Sequence, residues 1–177
     1  MVIKLRHEHD RMNISDVKAY IITVSTSKYR EYLEGKKPQD TSGDLAEKMI
    51  RERGAVVVGR SLVDDDVHMI RSLVESLVLR EDIDMIIITG GTGVSPRDVT
   101  IEAVKPLLEK ELEGFGEIFR WISYQKRGGI AMLSRAAAGI INRKLIVVLP
   151  GSPDAVSIGL ELILDQATHI LSIAKGL

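Results

Sequence analysis

The seven residues Ile83 to Thr89 read Ile-Asp-Met-Ile-Ile-Ile-Thr, with one charge among them. A strand that is apolar on both alternating faces has no side to give to water. It must run through the middle of a sheet covered on both faces, which is how parallel sheets are built. The rest of the chain supplies the matching parts. Val17 to Val24 (VKAYIITV), Ala55 to Val58 and Lys144 to Leu149 (KLIVVL) read as further strands. Leu45 to Arg53 reads as a helix stopped by Gly54. Asp64, Asp65 and Asp66 precede a helix with Val67, Ile70, Leu73, Val74 and Leu77 on one face. Val99 to Glu109 reads as helical up to a disturbance at Pro106. Phe115 to Tyr124 and Ile130 to Ala138 read as shorter helical pieces. Ser152-Pro153 forms a cap and first turn for a last helix that runs to about Lys175. Alternating strands and helices predict an α/β sandwich with a mainly parallel sheet. Ser25 to Gly43 is a long polar loop, well beyond the usual connection of about 4–6 residues, and long loops of this kind carry function or move.

The 177 residues suit one domain, expected over 15–177, preceded by a polar, flexible arm at 1–14. His7 and His9 on that arm read as solvated tail residues. A net charge of −1 gives no general attraction for nucleic acid or an anionic membrane, so neither is an expected partner. With no cysteine, disulfides, thiolate metal sites and cysteine nucleophiles are excluded. No apolar run approaches the roughly 20 residues of a membrane span. Nor does the arm have the apolar stretch of a signal peptide, so a cytoplasmic protein is expected.

In such folds ligands gather beyond the carboxyl ends of the strands. Four segments fall there. Thr89-Gly90-Gly91-Thr92-Gly93 follows the most apolar strand and is either a plain strand-to-helix turn or a backbone cradle for phosphate. It matches neither the P-loop nor the dinucleotide fingerprint. In Ser95-Pro96-Arg97-Asp98-Val99-Thr100, Asp98 or Thr100 can cap the next helix. Arg97 and Asp98 also suit a phosphate and a metal or polar heterocycle, respectively. In Leu133-Ser134-Arg135-Ala136-Ala137-Ala138-Gly139 the alanines suit close packing, and Ser134 and Arg135 supply phosphate donors. Leu149-Pro150-Gly151-Ser152-Pro153 joins a strand to a helix N-terminus, an anion-binding geometry.

These four segments, in this order and spacing, resemble the molybdopterin-binding proteins of the MoaB/MogA type. Asp40-Thr41-Ser42-Gly43 is similar to that family's D-x-S-G, and Glu113-Gly114-Phe115-Gly116-Glu117 matches as well. The resemblance runs from about Val17 to the C-terminus. It implies a three-layer α/β/α sandwich and a trimer, or a hexamer of two trimers. It also implies molybdenum cofactor biosynthesis: transfer of adenylate from Mg-ATP to the terminal phosphate of molybdopterin, releasing pyrophosphate. The implied partners are molybdopterin, ATP with Mg2+, and the protein that later inserts molybdate. A non-catalytic molybdopterin carrier is the alternative.

Carried over residue by residue, the resemblance makes Asp98 a catalytic group at the pterin site. It gives Asp65 the handling of Mg-ATP and of the metal itself. Thr89, Gly90, Gly91, Thr92, Gly93, Asp98, Ser134 and Arg135 would bind molybdopterin. Ser25, Thr26, Ser27, Gly43, Asp65, Gly151 and Ser152 would bind nucleotide or phosphate. Thr26 stands where many members have aspartate. Taken without the resemblance, Asp64, Asp65 and Asp66 read better as a solvated helix cap. Phe115, Phe119, Trp121 and Tyr124 suit either the core or a subunit contact.

Overall fold

The computed structural model describes residues 12–177. His7, His9 and most of the expected arm lie outside the described residues. The elements in chain order are β1 (Lys18–Val24), α1 (Thr26–Leu33), α2 (Thr41–Glu52), β2 (Val56–Val63), α3 (Val67–Val78) and β3 (Met85–Thr89). Then come α4 (Thr100–Val104), β4 (Lys110–Glu111), α5 (Glu113–Arg127), β5 (Ala137–Ile141), β6 (Lys144–Leu149), α6 (Pro153–Leu164) and α7 (Ala167–Lys175). One six-stranded sheet has the order β2-β1-β3-β6-β5-β4. β2, β1, β3 and β6 are parallel, whereas β5 and β4 run antiparallel at one edge.

The apolar run from Ile83 to Thr89 is divided between two cores, as a period of two requires. Met85 and Ile87 of β3 join Ile21 of β1, Leu145 and Val147 of β6, and buried residues of α2, α5, α6 and α7. Ile86 and Ile88 face the other way, with Ile22, Ile146 and Val148, onto Ile70 and Val74 of α3 and Ala103 and Val104 of α4. All five residues of β3 are buried. Helices therefore cover both faces of the sheet, in three layers. Among the described residues no single helix is long and apolar enough to cross a membrane, and α6 and α7 are bent 56° from each other.

Four local expectations differ from the structure. The long polar loop contains α1, a helix with no buried residue, so it left no apolar periodicity to read. Ala137 and Ala138, expected in a helix, lie in β5, which pairs with β6 from Ala137↔Val148 to Ile141↔Lys144. β2 continues past Val58 to Val63 through Gly59, Arg60 and Ser61, a stretch that is only half-buried. The last helix breaks at Asp165 and Gln166 instead of running straight to Lys175.

Topology fixes where a ligand belongs. From β1 the chain crosses to β2 on one side. From β2 it crosses back over β1 to β3 on the other side. The loops after β1 and β3 thus diverge, and the crevice between them is the topological switch point.

Candidate functional site

A cavity of about 530 Å³ opens at that point. Its floor is Thr89 to Gly93 after β3 and Pro150 to Ser152 after β6. Thr23, Ser25, Lys28, Ser42 and Asp65 supply a polar wall, and Phe119, Ile130, Ala131, Leu133 and Ile158 an apolar one. Asp98 and Ser134 also line it.

The floor depends on glycine. Gly90 has φ +101°, and a Cβ there would lie 2.2 Å from the carbonyl oxygen of Val24. Gly91 has φ +62°, and its Cβ would lie 2.4 Å from Thr100 Oγ1 and 2.5 Å from Asp65 Oδ1. Any side chain would therefore force the two strand-end loops apart. Side chains then tie the loops together. Thr100 Oγ1, fully buried, donates to the Gly90 carbonyl at 2.8 Å. Ser42 Oγ donates to the Gly151 carbonyl at 2.6 Å. Arg135 Nε donates to the Thr92 carbonyl at 2.9 Å and Nη2 to the Asp98 carbonyl at 3.2 Å. Its guanidinium also pairs with Glu102, whose carboxyl it holds below its usual pKa against the opposing effect of burial.

Neither of the two expected acidic groups is a helix cap. Asp66, not Asp65, caps α3, accepting from Met69 N–H at 2.7 Å. Asp65 Oδ2 accepts from the N–H and hydroxyl of Thr26 at 2.8 and 3.0 Å. Its Oδ1 accepts no hydrogen bond among the described residues. The residue before α4 is Val99, with no side-chain cap. Among the described residues Asp98 Oδ2 accepts only the Ser95 N–H, at 2.9 Å, within its own turn.

Of the expected nucleotide contacts, Ser25, Asp65, Gly151 and Ser152 line the cavity, but Thr26, Ser27 and Gly43 do not. Thr26 is engaged with Asp65, and exposed Ser27 bonds the Ser25 hydroxyl at 3.3 Å. Gly43 makes room for Asp40, since a Cβ there would lie 2.1 Å from Asp40 Oδ2. Arg135 lies behind the glycine turn and lines a separate cleft with Arg120, Glu113 and Glu117.

Sequence reasoning missed the group that holds α1 and α2 to the strand ends. Asp40 accepts from Thr23 Oγ1 at 2.6 Å, from Gly43 N–H at 3.1 Å and from Arg60 Nη2 at 2.8 Å, with Lys28 Nζ at 3.3 Å. Burial pushes the Asp40 carboxyl up, but hydrogen bonds from Thr23, Gly43 and Arg60 outweigh it and hold the pKa below the usual value. Thr23 was within reach of a sequence argument, being at the carboxyl end of β1. Lys28 was not, because its position depends on the unread helix α1. Arg127, which also lines the cavity, pairs with Asp154.

Among the described residues no three His, Asp or Glu side chains are grouped so as to hold a metal by themselves. Mg2+ does not need such a cage, because it is commonly held by one or two carboxylates and the phosphates of a substrate. The free Oδ1 of Asp65 fits that mode.

Comparison with known proteins agrees with this architecture. A family described as the probable molybdopterin binding domain matches residues 20–169. A probable molybdopterin adenylyltransferase from Methanocaldococcus jannaschii is 44% identical over 158 residues, covering 89% of this chain and 94% of that protein. Molybdenum cofactor biosynthesis protein B of Bacillus anthracis is 42% identical over 165 residues, covering 92% and 94%. A crystal structure of a molybdenum cofactor biosynthesis protein B superposes with TM-score 0.85 at 39% identity, covering 94% of this chain and 100% of that one. The tungsten cofactor synthesizing protein MoaB of Pyrococcus furiosus gives 0.77 at 38%, covering 90% and 97%. With the family match over residues 20–169 and relatives 42–44% identical over most of their length, the chain belongs to the molybdopterin-binding domain family.

Proposed function

We propose that this protein is a molybdopterin adenylyltransferase that acts in the cytoplasm as a homo-oligomer. An oxygen of the terminal phosphate of molybdopterin attacks the α-phosphorus of Mg-ATP. The bond to the bridging oxygen breaks, and pyrophosphate leaves with that electron pair. The nucleophile is already an anion, so the reaction asks for no activated serine. It asks for two polyanions to be held in line and their repulsion offset.

The observation that carries this reading is the pair of carboxylates, Asp65 and Asp98, lining one glycine-floored cavity with neither spent on capping a helix. Asp65 would hold the magnesium of the nucleotide through Oδ1, Thr26 fixing the other oxygen. Magnesium would neutralise phosphate charge. Asp98 would accept from the pterin ring, with Ser134 and the backbone of Gly90 to Gly93 at the phosphate. The 44% identity to a probable molybdopterin adenylyltransferase supports the same assignment.

Assembly rests on α5. Ile118, Trp121 and Tyr124 are more than half exposed, and the Trp121 and Tyr124 rings stack 6.3 Å apart. We assign this face to a contact between subunits about a three-fold axis. The released product would pass to a molybdate-insertion protein.

The test is direct. Purified protein is incubated with ATP, Mg2+ and molybdopterin, and pyrophosphate is measured. Stoichiometric or better release, dependent on molybdopterin, is expected. Tight molybdopterin binding without pyrophosphate would instead make the protein a carrier.

A further inference from the structure

Two cations line the main cavity, Lys28 and Arg127, and they are committed differently. The Nε and Nη2 of Arg127 both reach Asp154 Oδ2 at 2.9 Å, and Asp154 receives no other side-chain donor among the described residues. Removing Arg127 would leave that carboxylate to solvent alone. Lys28 is different. Among the described residues its Nζ contacts only Asp40, and 3.3 Å is the longest of the four contacts to that carboxylate. Thr23, Gly43 and Arg60 together supply hydrogen bonds to both oxygens of Asp40, and Arg60 adds a positive charge that it shares with Asp44 and Glu47. Asp40 is only 16% exposed, so protein donors must satisfy it, and three remain when Lys28 leaves. Breaking the Lys28 contact therefore leaves no unpaired buried charge, the outcome that makes such departures costly.

The helix that carries Lys28 is also easy to adjust. α1 buries no residue and is held at its start by the Ser25 cap and the Thr26–Asp65 bonds. Lys28 stands beside Ser25 and Asp65 on the polar wall. A compact ammonium with three donors, weakly held and facing a cavity, suits the oxygens of a polyphosphate chain.

We propose that Lys28 is the polyphosphate anchor of the cavity: its ammonium leaves Asp40 for the phosphates of an incoming nucleotide, while Thr23, Gly43 and Arg60 keep Asp40 hydrogen-bonded. This rests on the reading that a nucleotide enters here. It adds a residue that the sequence resemblance did not assign.

Calorimetric titration with inorganic tripolyphosphate tests the anchor without any reaction. Lys28→Met should weaken binding at least about tenfold, the scale of one charge-assisted contact. Lys28→Arg should stay within about threefold of wild type, because the charge is kept. Lys36→Met, which alters an exposed lysine paired with Glu34, should bind as wild type does. In the wild type, the NMR signals of the Lys28 side chain should shift on addition of tripolyphosphate, which keeps the test open should Lys28→Met fold poorly. Unchanged affinity in Lys28→Met, equal loss in Lys28→Arg, an unmoved Lys28 signal, or no tripolyphosphate binding by the wild type would each overturn the assignment. A protein with Lys28-dependent binding but no pyrophosphate release would refute the transferase and leave the anchor. Normal nucleotide KM in Lys28→Met, with release intact, would do the reverse.

Discussion

Asp98→Asn removes one charge from the cavity and changes little else. Among the described residues the carboxylate accepts a single hydrogen bond, from Ser95 N–H at 2.9 Å, and asparagine keeps an acceptor oxygen for it. The helix that follows starts at Thr100 without a side-chain cap, so no cap is lost. Structural cost is therefore below the roughly 1 kcal/mol of a typical net hydrogen bond. For a domain of this size that is a fall of less than about 2–4 °C in melting temperature. The effect on rate is of another size. A preorganised electrostatic contact at a reacting centre is worth about 2.7–4 kcal/mol, or roughly a hundredfold and more in turnover. Pyrophosphate release should thus fall at least about a hundredfold, with ATP binding retained and melting nearly unchanged. The assay is release under saturating ATP and molybdopterin, with a melting curve on the same preparation. Normal turnover would reduce Asp98 to a turn residue. A loss of turnover matched by a large loss of stability would show that it acts through the loop rather than on the substrate.

Asp65→Asn keeps an oxygen for the two Thr26 donors but loses the charge, so molybdopterin binding and fold should persist while turnover with Mg-ATP falls at least about tenfold. Turnover at the wild-type rate would refute the metal assignment. Asp40 is held below its usual pKa of 3.8, so its contribution to stability is present above that value and is lost as pH falls through the lower folded pKa. Asp40→Asn should then be less stable than wild type near neutrality, the gap narrowing below about pH 4 in urea melts; a gap constant with pH would deny the carboxylate that role. Light scattering at micromolar concentration should give a multiple of three subunits for the wild type and smaller species for Trp121→Asp, whereas a monomeric wild type would refute the assembly.

What the sequence disclosed followed from how much apolar surface each element buries. β1, β3, β6 and α3 are buried deeply enough that their patterns stand out alone. α1 buries nothing and was read as loop, taking Lys28 out of view. β5 was misread because alanine carries a high helix propensity. Pairing with β6 overrides that preference, and Gly139 lets the edge strand come close, since a Cβ there would lie 2.5 Å from the Lys110 carbonyl oxygen. Asp65 and Asp98 are assigned to the site through family likeness, because local sequence alone favours a helix cap for Asp65 and allows one for Asp98. Only three-dimensional placement showed that Asp66 caps α3 and that α4 has no side-chain cap.

Preorganisation of the cavity comes from side-chain bonds that join its separate segments, most of them between different loops. Ser42 joins the start of α2 to the turn after β6, Thr100 joins α4 to the glycine turn, Thr26 joins α1 to Asp65, and Arg135 reaches the same glycine turn from behind. The Ser42, Thr26 and Arg135 bonds span residues far apart in the chain, Thr100 reaches back across its own β3–α4 connection, and each ends on a backbone carbonyl or a cavity carboxylate. Misplacing reacting groups by an ångström is enough to cost about a hundredfold in rate. A donor that fixes one loop against another therefore protects the rate without touching the substrate. Thr100 does the same across the β3–α4 connection, because its hydroxyl is fully buried and its acceptor is Gly90, whose backbone lies in the cavity floor. Valine at that position would fill the same space but leave the Gly90 carbonyl without this donor. The glycine turn would then have to find another partner, and the positions of Asp98 and the floor would shift together.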